Sequence, residues 1–183
     1  GMITTNDKQL ADKCREMTWF GVSSTWSRSQ GASGKPGYAW DYQVDLIGYK
    51  YYMIDIMAAI CLEQMKKLPE HLKFRRHVQE RYKNELHPII ERPPHSETVQ
   101  YYCAKVPPEH RDTLIDYLAD KKIHTSVHFK PLHKYTPLVQ NREYPVADVE
   151  WLKLISLPVH NRMEESDIDY VIYWVNKYFD EVV

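Results

Sequence analysis

Three of the chain's nine histidines, His124, His128 and His133, fall in one short stretch and raise the question of a metal site. Four-residue spacing brings two imidazoles together on a helix. Thr125, Val127 and Phe129 instead give this stretch a strand character, and a strand would hold His124 and His128 roughly 13 Å apart. A shared metal ion is therefore not expected. His128 and His133, flanking Pro131, are expected to line a pocket at the strand's end, where imidazole nitrogens can donate or accept hydrogen bonds. Gly31, Gly34, Lys35 and Gly37 resemble a phosphate loop only in part: Lys35 is followed by Pro36, not by the Ser or Thr that opens a helix in such loops. Cys14, Cys61 and Cys103 are odd in number and widely spaced. That suits neither a disulfide framework nor a zinc site, so buried thiols are expected.

These groups need elements to position them. Asn6-Asp7 before Leu10, Ala11 and Cys14 predicts a capped helix ending near Met17. Residues 18–41 show no apolar period and read as a long loop, of the kind that is usually functional or disordered. Ile54, Met57, Ala58, Cys61, Leu62, Met65 and Leu68 repeat at helical spacing, with Asp55 as the expected cap. That face reads as core, although a methionine-rich face also suits a partner. Pro69 is expected to open a second helix carrying Phe74, Val78, Tyr82 and Leu86. Strands are predicted over 98–106 and 123–129, with a proline-containing edge strand over 156–159. Helices are predicted after Pro107-Pro108, from Pro145 to Leu154, and at the C-terminus. The last has Ser166 and Asp169 as its capping box and Ile168, Val171, Ile172, Val175 and Phe179 inward. The order predicts an α+β fold, an antiparallel sheet with helices on one face, preceded by a long loop and helices.

Composition narrows the class. With 43% hydrophobic residues and fourteen tyrosines, five tryptophans and four phenylalanines, the chain can bury a core and is not disordered. Twenty-four basic residues against 25 acidic ones give a net charge of −1. Neither nucleic acid nor an anionic membrane is an expected partner. The apolar run Met53–Leu62 is too short to span a bilayer, and the N-terminal residues carry no secretory pattern. A soluble, cytoplasmic chain is the expectation.

Several stretches, in order, resemble one family. They are Met2-Ile-Thr-Thr-Asn-Asp7 with its Leu-Ala-x-Lys helix; Trp40-x-Tyr42-x-Val44; Gly48-Tyr-Lys-Tyr-Tyr-Met-Ile-Asp-Ile56 into Ala58-Ala59; and Gln64-Met-Lys-Lys-Leu68. Arg75-Arg76 with Tyr82 and Leu86 follows, then His128-Phe-Lys-Pro-Leu-His133, Tyr144-Pro145-Val-Ala-Asp148 and Leu157-Pro158. As a set they resemble the DegT/DnrJ/StrS sugar aminotransferases, pyridoxal-phosphate (PLP) enzymes of aminotransferase fold type I. The resemblance implies transfer of an amino group, usually from glutamate, to a keto-sugar nucleotide.

It covers the second half of such an enzyme. The family's PLP-binding lysine belongs to the stretch before Met2, and no lysine here matches its motif. The expectation is a truncated product, an excised domain or one half of a split enzyme, with no PLP held covalently. Residues 1–53 then read as a large-domain and linker remnant and 54–183 as the C-terminal α+β domain. The resemblance implies Lys50 and Tyr52 near a cofactor phosphate across a dimer, and His128 and His133 at the sugar-nucleotide pocket. A homodimer, or association with a large domain, is expected. Many members have an asparagine where Tyr52 stands, and Arg and His where Thr18 and Phe20 precede Gly21. A phenol can still donate to phosphate. Two alternatives stay open: a non-catalytic binding or dimerisation module, and part of a PLP-dependent sugar dehydratase.

Overall fold

A computed structural model describes residues 3–22, 37–97, 99–138 and 142–183. Most of the predicted loop, with Gly31, Gly34 and Lys35, lies outside these residues, as does Thr98 at the start of a predicted strand. The chain divides into two compact units, Gly1–Gln64 and Met65–Val183, where the sequence places the division at 53/54. Helix α2 (Asp55–Glu85) runs through the division.

The first unit is built on backbone hydrogen bonds. Helix α1 (Lys8–Thr18) starts where expected, with the Asp7 carboxylate accepting from the Gln9 and Leu10 amides. The chain then turns through Phe20 and Gly21, both at positive φ, and meets residues 44–51. Phe20 N–H donates to Tyr49 O at 2.9 Å, Tyr49 N–H to Met17 O at 2.7 Å and Tyr51 N–H to Thr18 O at 2.9 Å. Asp45 N–H donates to Gly21 O at 2.9 Å. Two glycines permit this crossing. A Cβ on Gly48 would lie 2.3 Å from Gly21 N, and one on Gly21 would lie 1.7 Å from Leu46 O. Val22 is the sole buried hydrophobic side chain among the described residues of this unit.

The second unit carries the core. Strands β1 (Tyr102–Lys105) and β2 (Leu154–Leu157) form a two-stranded antiparallel sheet, with Cys103 opposite Ser156 and Ala104 opposite Ile155. Glu91 bridges to Lys105 on the outer side of β1, and Ser126 bridges to Ser156 on the outer side of β2. Helices α3 (Pro108–Asp120) and α5 (Glu165–Val182) contribute Leu114, Leu118, Ile168, Val171, Val175 and Phe179 to the buried cluster. The distal half of α2 adds Val78 and Tyr82. The short helix α4 (Pro145–Glu150) and a single 3-10 turn lead into β2.

Six expectations need correction. The stretch 123–129 is not a strand but a single bridge at Ser126, because only that residue exchanges both backbone bonds with Ser156. Pro69 does not open a helix: it sits inside α2, which continues past it and leaves the Met65 carbonyl without its usual intrahelical donor. Asp55 is the first residue of α2 rather than a cap before it. The α5 capping box is Glu164 with Asp167, two residues earlier than Ser166 with Asp169. The proximal face of α2 is not core, since Ile54, Met57, Leu62, Met65 and Leu68 are about half exposed or more. Cys61 on the same helix is exposed too, while Cys14 and Cys103 are partly buried. No helix among the described residues is long and apolar enough to cross a membrane.

Candidate functional site

The glycine crossing positions Lys50 and Tyr52. Lys50 pairs with Trp19 as an isolated antiparallel bridge. Its ammonium stands 6.0 Å from the Trp19 ring centre, 5.7 Å from that of Phe20 and 5.8 Å from that of Tyr52. Tyr52 packs edge-on against Trp19 at 4.5 Å. The two sequence-predicted residues are therefore brought together around one indole. A cation over aromatic faces is held in place without being neutralised, and no carboxylate among the described residues pairs with Lys50. Beside them lies a cavity of about 440 Å³ lined by Trp19, Phe20, Val22, Tyr42 and Val44. An ammonium and a phenol are hydrogen-bond donors suited to an anionic phosphate. In donor chemistry these residues fit the phosphate group of PLP.

His128 and His133 lie in the second unit, and each is held by a different partner. His128 stacks on Tyr101 with ring centres 3.9 Å apart, and its Nδ1 lies 2.8 Å from Ser156 Oγ. The His128–Phe129 peptide is cis. The Cys103 thiol faces the His128 carbonyl at 3.8 Å. His133 belongs to a 3-10 turn, Leu132–Lys134, that follows Pro131. It stacks on Tyr144 at 4.7 Å, and its Nε2 lies 2.9 Å from Asp148 Oδ1. Lys134 Nζ shares that oxygen at 2.5 Å. The hydrogen bond from Lys134, then that from His133, holds the Asp148 carboxyl below the usual carboxylate range. His133 lines a cavity of about 470 Å³ with Pro131, Leu132, Leu138, Tyr144 and Ala147.

His124 stands apart from both, at a shallow groove with His160, Lys122 and Tyr170. Among the described residues no group of three or more His, Cys, Asp and Glu is placed to hold a metal ion. The sequence reading missed Ser156, Asp148, Tyr101 and Tyr144 as partners of the two histidines. Tyr144 and Asp148 stood inside a quoted motif, so the signal was present; Ser156 could not have been linked to His128 without knowing the Ser126–Ser156 bridge.

The model of the DegT/DnrJ/EryC1/StrS aminotransferase family matches residues 1–176. The chain is 33% identical to the spore coat polysaccharide biosynthesis protein SpsC of Bacillus subtilis, an alignment covering 94% of this chain and 47% of SpsC. It is 26% identical to the dTDP-4-dehydro-2,3,6-trideoxy-D-glucose 4-aminotransferase of Saccharopolyspora spinosa, over 92% of this chain and 45% of that enzyme. The fold matches that of Spr1654 from Streptococcus pneumoniae in its apo-form, with a TM-score of 0.82 and 24% identity, over 97% of this chain and 45% of Spr1654. Spr1654 has also been solved in PLP and PMP forms. The chain thus spans about half the length of the relatives it matches.

Proposed function

Because the chain belongs to the DegT/DnrJ/EryC1/StrS aminotransferase family, we propose that it forms the C-terminal part of an enzyme that moves an amino group from glutamate to a keto-sugar nucleotide. The observation that carries this reading is the family match along nearly the whole chain, joined to a fold shared with Spr1654. PLP, the cofactor of the family's enzymes, supplies when bound the electron sink that such a transfer requires. On this reading the lysine that would bind it covalently is not one of this chain's.

The chain's own residues then bind and orient. Lys50 and the Tyr52 hydroxyl hold the cofactor phosphate, the ammonium by charge and the phenol by a donated hydrogen bond. Trp19 and Phe20 keep the ammonium in place. His128 and His133 meet oxygens of the sugar nucleotide. A PMP titration followed by calorimetry tests the cofactor half of this reading: K50A should weaken binding by about tenfold, the equivalent of a charge-assisted hydrogen bond of roughly 1.5 kcal/mol. Equal affinity in wild type and K50A would remove Lys50 from the site. Borohydride reduction with PLP followed by peptide mapping should label no lysine stoichiometrically.

A second reading, an association module without the chemistry, draws support from the exposed apolar side chains on proximal α2. Either a second copy or a large domain would cover them. The two readings part on PMP: an association module has no reason to bind it.

A further inference from the structure

The two histidines each spend one ring nitrogen on the protein, and counting hydrogens at those nitrogens determines what each can offer a ligand. Ser156 is buried, at 4% exposure. Its backbone N–H and C=O are both used on Ser126, at 2.7 and 3.1 Å. Its hydroxyl has one partner among the described residues, His128 Nδ1 at 2.8 Å. A hydroxyl carries one proton and two lone pairs. In a buried site an unplaced proton is the costlier omission, because orphaned donors are rarer than under-used acceptors. The hydroxyl therefore donates, Nδ1 of His128 is the bare acceptor, and its ring proton sits on Nε2.

At His133 the logic runs through the opposite nitrogen. The Asp148 carboxylate can only accept, and Lys134 keeps it ionised. Nε2 of His133, 2.9 Å from Asp148 Oδ1, must carry the proton. When the ring is neutral, Nδ1 is left as a lone pair. Stacking on Tyr101 and on Tyr144 fixes the plane of each ring and hence the direction of each free nitrogen.

We propose that Ser156 and Asp148 hold His128 and His133 in the same tautomer but tethered by opposite nitrogens, so that His128 presents a free N–H donor and His133 a free acceptor. Resting on the sugar-nucleotide reading above, this divides the ligand's oxygens by type. His128 donates to an oxygen lone pair, such as that of a phosphate or a carbonyl, and His133 accepts from a sugar hydroxyl. Ser156 and Asp148 are positioning residues, each acting through its histidine.

Two-bond proton–nitrogen spectra of the ¹⁵N-labelled full chain, at a pH well above the ordinary imidazole value of about 6.5, read both tautomers directly. Expected for both rings is a pyrrole-like Nε2 and a pyridine-like Nδ1. A pyrrole-like Nδ1 on His128 would overturn the assignment with no variant made. In S156A, the His128 nitrogens should move toward the averaged positions of two exchanging tautomers while those of His133 stay put. Unmoved His128 nitrogens in a folded S156A would end the role of Ser156, and D148A is the matching test for His133. Adding UDP-glucose as probe should shift His128 Nε2 and His133 Nδ1, the free nitrogens. Tautomers as assigned with neither nitrogen moving would support the hydrogen accounting and count against the histidines as substrate contacts, so the two ideas fail separately.

Discussion

Two buried tyrosines show how much a single hydroxyl decides. Tyr82 and Tyr102 pack edge to face with ring centres 5.1 Å apart, and both are almost fully buried. The Tyr82 hydroxyl donates to Pro158 O at 2.9 Å, whereas the Tyr102 hydroxyl has no partner among the described residues. Burial pushes the Tyr82 phenol up and raises that of Tyr102 to about 12. Y82F should therefore lose about 1 kcal/mol, since it strands the Pro158 carbonyl. Y102F should lose nothing or gain slightly, because it removes an unsatisfied polar group. Urea denaturation of the two variants should separate them in sign. A charged residue gives a different signature. Glu150 accepts from Lys153 and Lys105, and those bonds lower its carboxyl from 4.5 to about 2. A carboxyl depressed on folding contributes stability above its unfolded value and loses it as pH falls toward the folded one. Between about pH 4.5 and pH 2 the stability of E150Q should thus fall less steeply than that of wild type. Denaturation midpoints measured across that window will show it.

At the level of elements, the end of α2 is closed by side chains from beyond it. Arg92 folds back over it: Nη1 donates to His87 O at 3.0 Å, Nε to Lys83 O at 3.2 Å, and further bonds reach the Leu86 and Ile90 carbonyls. Asn176 of α5 donates to Glu85 O at 2.8 Å and accepts from His87 N–H at 2.7 Å. The orphan carbonyls of a helix end are satisfied here by side chains from outside it. A lysine cannot reproduce the planar fork. R92K should destabilise the chain by about 2 kcal/mol in thermal or chemical unfolding, with N176A lowering stability in the same direction. Nothing in the pattern of residues 86–94 announces this arrangement; Pro88 and the Pro93-Pro94 pair mark a stop without explaining it. Helices α1, α3 and α5 were legible because their apolar spacing or their caps are local. Ile168, Val171, Ile172, Val175 and Phe179 all proved buried. The stretch 123–129 was not legible, because its β-branched and aromatic residues are shared by strands and by extended connections that bridge at one point. Proximal α2 misled for another reason: helical periodicity shows that a face is apolar, not that this chain covers it. The histidine pair was visible as a motif, but Ser156 joins it only through a contact 28 residues away.

Across the whole molecule the two units rely on different sources of stability. The second has a continuous apolar cluster from Val78 to Phe179, while the first buries Val22 alone among its described hydrophobic side chains. Ile56, Met57, Ile60, Leu62 and Met65 leave apolar area in water. The chain should bind an apolar-surface dye and scatter light as a species larger than its 21.8 kDa monomer. Replacing Ile60 by lysine should reduce both signals, and a strict monomer at every concentration would speak against it. The Gly21–Gly48 crossing carries a further consequence, visible on the clock of amide exchange. Amides at 20, 21, 45, 49 and 51 are bonded across or beside that crossing with almost no apolar cover. Local opening there exposes them without melting a core, and closing requires two backbones to fit at a contact with no room for a side chain. Deuterium should therefore enter these positions far sooner than it enters Ala104 or Ile155, which wait for global unfolding. A G48A chain should take it up at 20, 21, 45, 49 and 51 at close to the intrinsic rate, with Ala104 and Ile155 still as slow as before.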